Sequence, residues 1–92
     1  MEKISYIEKN GKVTGLNINC GDFIINIAKK DMTFECAPAR VVKDAMEKAI
    51  EYLKEKDLNG EYCFVANTIS VKISATSNVE EVYDYYIKFP NV

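Results

Sequence analysis

With 92 residues, 48% of them apolar, the chain is long enough for one domain with a modest core. A formal charge of −2 excludes the strongly basic profile of a typical nucleic-acid binder, and no apolar run approaches the ~20 residues that cross a bilayer. Met1-Glu2-Lys3-Ile4 alternates at once and shows no leader pattern, so a cytoplasmic location is expected. Residues 57–92 carry five acidic and two basic side chains, against nine and ten in residues 1–56, so the C-terminal third is the acidic part. Eleven of the twelve basic residues are lysine, alongside abundant Ile and Asn, a composition that suits an AT-rich genome.

Residues 3–8 and 12–20 read as two strands joined by a three-residue loop, Lys9-Asn10-Gly11, with Gly11 left-handed. That loop faces Ile4 to Leu16 and Tyr6 to Thr14. A plain two-residue Asn-Gly turn would instead put Ile4 and Tyr6 on the face opposite Leu16 and Ile18. Gly21-Asp22 fits a type II′ turn that pairs Ile18 with Ile25 and Leu16 with Ile27. A four-residue loop, Ala28–Asp31, then pairs Ile27 with Met32 and Ile25 with Phe34. All these pairs share one apolar face. That agreement between independent turn readings is the firmest element of the pattern.

Val41, Val42, Ala45, Met46, Ala49, Ile50 and Leu53 recur at helical spacing, which predicts a helix over 38–57 with Pro38 in its first turn and Asn59-Gly60 ending it. Residues 61–66 and 69–75 form a hairpin through Asn67-Thr68, pairing Tyr62 with Ile73 and Phe64 with Val71. In the tail, Ser77 and Glu80 form a capping box, and Val79, Val82, Tyr83 and Tyr86 follow at helical spacing. Tyr83, Tyr85, Ile87 and Phe89 also alternate as a strand would. The helix is preferred, ending before Pro90. The order ββββαββα predicts a single α+β domain over 1–92: an antiparallel-rich sheet, one long helix packed on one face and a short C-terminal helix.

Histidine is absent, which removes Cys-His and Ser-His-Asp nucleophile systems within the chain. No carboxylate or lysine spacing points to catalysis, so an enzyme is not expected, nor a cofactor. Cys20, Cys36 and Cys63 contain no Cys-x-x-Cys pair, so no metal site is expected. Cys20 and Cys36 fall on strands two apart, about 10 Å, beyond the reach of a disulfide, and read as buried thiols. Cys63 falls on the other sheet face. Of the glycines, Gly15 sits inside a strand and marks a bulge or a close backbone approach.

Three surfaces remain as candidates. Glu80, Glu81, Tyr83, Asp84, Tyr85 and Tyr86 form an acidic, tyrosine-rich stretch suited to a protein partner. A helix points these tyrosines in different directions, so at least one is exposed. Lys9, Lys12, Lys29, Lys30, Lys54 and Lys56 gather at one end of the fold, diluted by Glu8, Asp31, Glu55 and Asp57, and offer an alternative, weak nucleic-acid surface. The second sheet face carries Ser5, Ile7, Val13, Asn17, Asn19, Ile24, Asn26, Thr33 and Glu35, and its apolar members, or an edge strand, suit a homo-oligomer. The expectation is a non-catalytic protein-binding module of inhibitor, immunity or accessory type that uses the acidic tail.

Overall fold

The computed structural model describes residues 3–37 and 41–88. They form the α+β order expected: β1 (Lys3–Lys9), β2 (Lys12–Asn19), β3 (Ile24–Ala28), β4 (Thr33–Ala37), α1 (Val42–Glu55), β5 (Tyr62–Ala66), β6 (Ile69–Ile73) and α2 (Val79–Lys88). The six strands make one sheet in sequence order, antiparallel except for the β4–β5 pair. That exception follows from α1, which carries the chain back along the sheet so that β5 runs the same way as β4.

The first hairpin differs from the expected loop. Asn10 and Gly11 both have positive φ, 54° and 79°, and form a two-residue turn that pairs Lys9 with Lys12. The extra residue sits further along, where the register shifts between Ile7–Gly15 and Glu8–Val13 and leaves Thr14 bulged. The bulge restores the side-chain alternation that a plain two-residue turn would lose. Ile4 therefore pairs with Ile18 and Tyr6 with Leu16, each two residues from the expected partner but on the expected face. Gly15 allows this: a Cβ there would stand 2.7 Å from the Ile27 carbonyl oxygen. The second hairpin has the expected register, with Cys20 N donating to Phe23 O at 2.9 Å. The third loop is Lys29–Met32, one residue later than expected, so Ile27 pairs with Phe34 and Ile25 with Cys36. Asp31 Oδ1 accepts from Thr33 N, and Met32 takes the left-handed turn position at φ 54°. The shift is by two residues, so the same side chains still face inward.

Helix α1 is shorter than expected. It starts at Val42 after Val41, and Pro38 lies outside the described residues, as do Phe89 and Pro90. Its last residue is Glu55, and the stop is made not by Asn59-Gly60 but by Asp57, whose φ of 54° lets Asp57 N reach Lys54 O and Leu58 N reach Leu53 O. Those two bonds make a Schellman motif, built here on Asp rather than Gly. Its inner face buries Val42, Ala45, Met46, Ala49, Ile50 and Leu53. Each such burial stabilises by about 1.5–3 kcal/mol for a large side chain. The β5–β6 hairpin has the expected register around Asn67-Thr68, both at positive φ.

Both helices lie on one face of the sheet. Helix α1 packs on β3, β4 and β5, and α2 packs beside α1 over β6. The core between the layers centres on Ile25, Ile27, Phe34, Phe64 and Ile73. The β1–β2 end projects beyond this double layer. Ile4 and Tyr6 point to the helix side yet remain 45% and 65% exposed.

Candidate functional site

The acidic tail is a helix, and its cap lies one residue later than expected. Asn78 Oδ1 accepts from Glu81 N at 3.1 Å, while Ser77 Oγ accepts from Ser74 N at 2.8 Å and braces the preceding turn. Asn78 and Glu81 therefore hold the places assigned to Ser77 and Glu80. This frees Glu80 to accept from the Lys43 ammonium of α1. That hydrogen bond is the main cause of the raised Lys43 pKa. The same ammonium lies 5.9 Å from the centre of the Tyr83 ring.

The three tyrosines divide by direction. Tyr86 is the one buried residue of α2. Its hydroxyl donates to Ala66 O at 3.3 Å and accepts from Asn67 Nδ2 at 3.2 Å, which ties α2 to the β5–β6 turn. Tyr83 stacks on it at 6.2 Å and is half-buried. Tyr85 points away and is 61% exposed. Of the six tail residues singled out, Glu80, Tyr83 and Tyr86 thus serve the helix–helix and helix–sheet contacts. Glu81, Asp84 and Tyr85 face outward, with Asp84 bridged to Lys88 at 3.1 Å.

Glu81, Val82 and Tyr85 form one wall of a groove of about 310 Å³, and Ser70, Val71 and Lys72 of β6 form the other. Among the described residues β6 is an edge strand of the sheet, the position at which a further strand can pair. The β6 wall was not legible in the sequence, because nothing in residues 69–73 announces an edge position.

The lysine end assembles only in part. Lys12, Lys29 and Lys30 surround one depression with Val13 and Thr14. Lys56 stands with Lys29 at a neighbouring cavity, its ammonium 5.9 Å from the Tyr52 ring centre. Lys54 points elsewhere, toward Ser77 and Val79, since residues two apart project to different sides of a helix. The apolar patch expected on the second sheet face does not form as drawn. The bulge turns Val13 to the helix side, where it lines a cavity with Tyr6 and Leu16. Ile7 and Ile24 lie at opposite ends of the second face, with the Asn26–Asn17 hydrogen bond of 2.9 Å between them.

All three cysteines remain thiols. Cys36 is buried as expected, and burial first, then the neighbouring Cys20, raises its pKa. Cys20 is only half-buried. Cys63 faces Lys72 across the second sheet face, with Nζ 3.7 Å from its sulfur. Among the described residues no group of His, Cys, Asp or Glu is placed to hold a metal ion. No described helix is long and apolar enough to cross a membrane. Comparison with known proteins gives no relationship to reason from: no family model, curated protein or solved structure matches the chain.

Proposed function

We propose that the chain is a non-catalytic protein-binding module of inhibitor, immunity or accessory type, and that its partner docks in the groove between α2 and the open edge of β6. The observation that carries this reading is Tyr85, a large aromatic residue 61% exposed on the lip of that groove. Such a side chain presents wide amphipathic area with only two torsions to order. An extended partner segment would take up the edge hydrogen bonds of β6, and its alternate side chains would meet Val82 and Tyr85. Glu81 on one wall and Lys72 on the other give the groove one charge of each sign. Asp84 and Lys88 extend the contact outward.

The test replaces Asp84 and Tyr85 together by alanine. Both are exposed, so the fold is kept. Affinity capture from the native host should recover a partner with the wild-type chain and lose it with the double variant. Retained capture refutes this surface. The open edges β1 and β6 also suit pairing between copies, and sedimentation at high protein concentration separates that outcome: a monomer excludes it.

A further inference from the structure

The projecting β1–β2 end leaves a second concavity, distinct from the groove at β6. It measures about 310 Å³ and lies between β1–β3, the third hairpin loop and the C-terminal end of α1. Its walls are the side chains of Tyr6, Val13, Leu16, Met32, Tyr52 and Leu58 over a floor of Ile27. Three local features build it. The Thr14 bulge turns Val13 inward to this side. Met32 is held at φ 54°, a conformation costly for any residue with a Cβ, and this presents its flexible thioether to the cavity. The Schellman motif at Asp57 folds Leu58 back over the end of α1.

The charged groups of the lining are Lys29 and Lys56, and no carboxylate is among them. Neither lysine forms an ion pair among the described residues. Carboxylates stand just outside the lining: Glu8 pairs across from Val13, and Glu51 and Glu55 share an adjoining depression with Tyr52 and Lys56, so the two lysines are the charged groups of the cavity wall itself. Small-molecule sites have this character: an apolar body with a few polar groups that fix orientation. The volume corresponds to about ten water-sized groups.

From the cavity and its rim we infer that this is a binding site for a free, small anionic amphiphile. The ligand has one carboxylate or phosphate head and an aliphatic or aromatic body of about ten carbons. The head lies between Lys29 and Lys56, and the body covers Leu16, Met32 and Tyr52. The contact also shields the exposed ring of Tyr6.

The experiment is a titration of the isotope-labelled chain with decanoate, followed by the methyl signals of Leu16, Ile27 and Met32. Decanol, decyltrimethylammonium and vesicles of phosphatidylglycerol in phosphatidylcholine serve as the neutral, cationic and membrane arms. Saturable shifts of these methyls by decanoate are expected, with decanol binding about tenfold more weakly, the scale of one charge-assisted hydrogen bond. The double variant Lys29→Glu/Lys56→Glu should weaken decanoate by at least that factor, and added salt should weaken it in the wild type. The inference is overturned by absence of saturable shifts, by equally tight binding of the cation, by binding to vesicles without binding to decanoate, or by indifference to both charge reversal and salt.

Discussion

Removing the Tyr86 side chain should release α2 from the body of the domain. Tyr86 is 7% exposed and is the only residue of α2 buried to that degree, while Val79, Val82 and Tyr83 pack at the edge of the core. A tyrosine of this kind buries roughly 150–250 Å², which at ~25 cal/mol/Å² gives about 4–6 kcal/mol. Measured aromatic-to-alanine changes in cores fall at about 3–5 kcal/mol. A domain of this length has about 5–14 kcal/mol in all, so the loss is large but concentrated on one element. Tyr86→Phe keeps the ring and removes the bonds to Ala66 O and Asn67 Nδ2, costing about 1–2 kcal/mol. Native-state hydrogen exchange reads both. In Tyr86→Ala the α2 amides should lose protection by roughly 10²–10³-fold more than those of β3 and β4. In Tyr86→Phe the difference should be near tenfold. An equal loss across α2, β3 and β4 would show that Tyr86 is not what separately holds this helix, and the groove at β6 would then need another support.

Gly15→Ala places a Cβ against the backbone oxygen of Ile27, which no side-chain movement relieves, so chemical denaturation should report a loss of about 1–3 kcal/mol; an unchanged midpoint contradicts the close approach. Thr68→Gly relieves a β-branched residue at φ 64° next to Asn67 at φ 53°, and calorimetry should show a gain of about 0.5–1 kcal/mol, or roughly 4 °C in Tm. Cys36 and Tyr52 both have pKa values raised chiefly by burial, so the unfolded chain gives up these protons first. Stability is then full below the ordinary thiol range and falls as pH rises above about 8.5, and Cys36→Ala should flatten the first part of that fall in urea denaturation.

The inward face of the strands was legible in the sequence, Val13 excepted, while the partners were legible in the β2–β3 and β5–β6 hairpins and displaced by two residues in the other two. Turn chemistry sets parity, because side chains alternate with period two. Ile4 and Tyr6 accordingly reached the right side of the sheet although their partners were displaced by two residues. The bulge at Thr14 is signalled in sequence only by Gly15, which is compatible with either a bulge or a close approach and in the structure does both. The division of the tail tyrosines was legible as a geometric necessity, but its assignment was not. Which of Tyr83, Tyr85 and Tyr86 turns outward depends on where α1 stands, and Lys43 gives no local sign that it will meet Glu80 and Tyr83. Likewise the cavity under Tyr6 arises because two helices of modest length meet a sheet of six strands, a mismatch of areas that no single segment encodes.

The single parallel strand pair has a consequence for how the molecule assembles. Every other neighbouring pair in the sheet is a hairpin, closed by a turn of two to four residues and able to form alone in microseconds. The β4–β5 seam must instead close the whole span from Phe34 to Phe64, and its ladder consists of Phe34–Phe64 and Glu35–Val65 only. Loop entropy is greatest there and backbone bonding least, so the seam depends on its aromatic packing: Phe34 meets Tyr52 at 6.0 Å and Tyr62 at 6.5 Å, both edge to face. The protein is in this sense two locally wound ribbons, β1–β4 and β5–β6 with α2, joined at the Phe34–Phe64 seam and bridged by α1. The meeting of those ribbons is therefore the step expected to limit the folding rate, and Phe34→Leu should slow refolding in stopped-flow measurements.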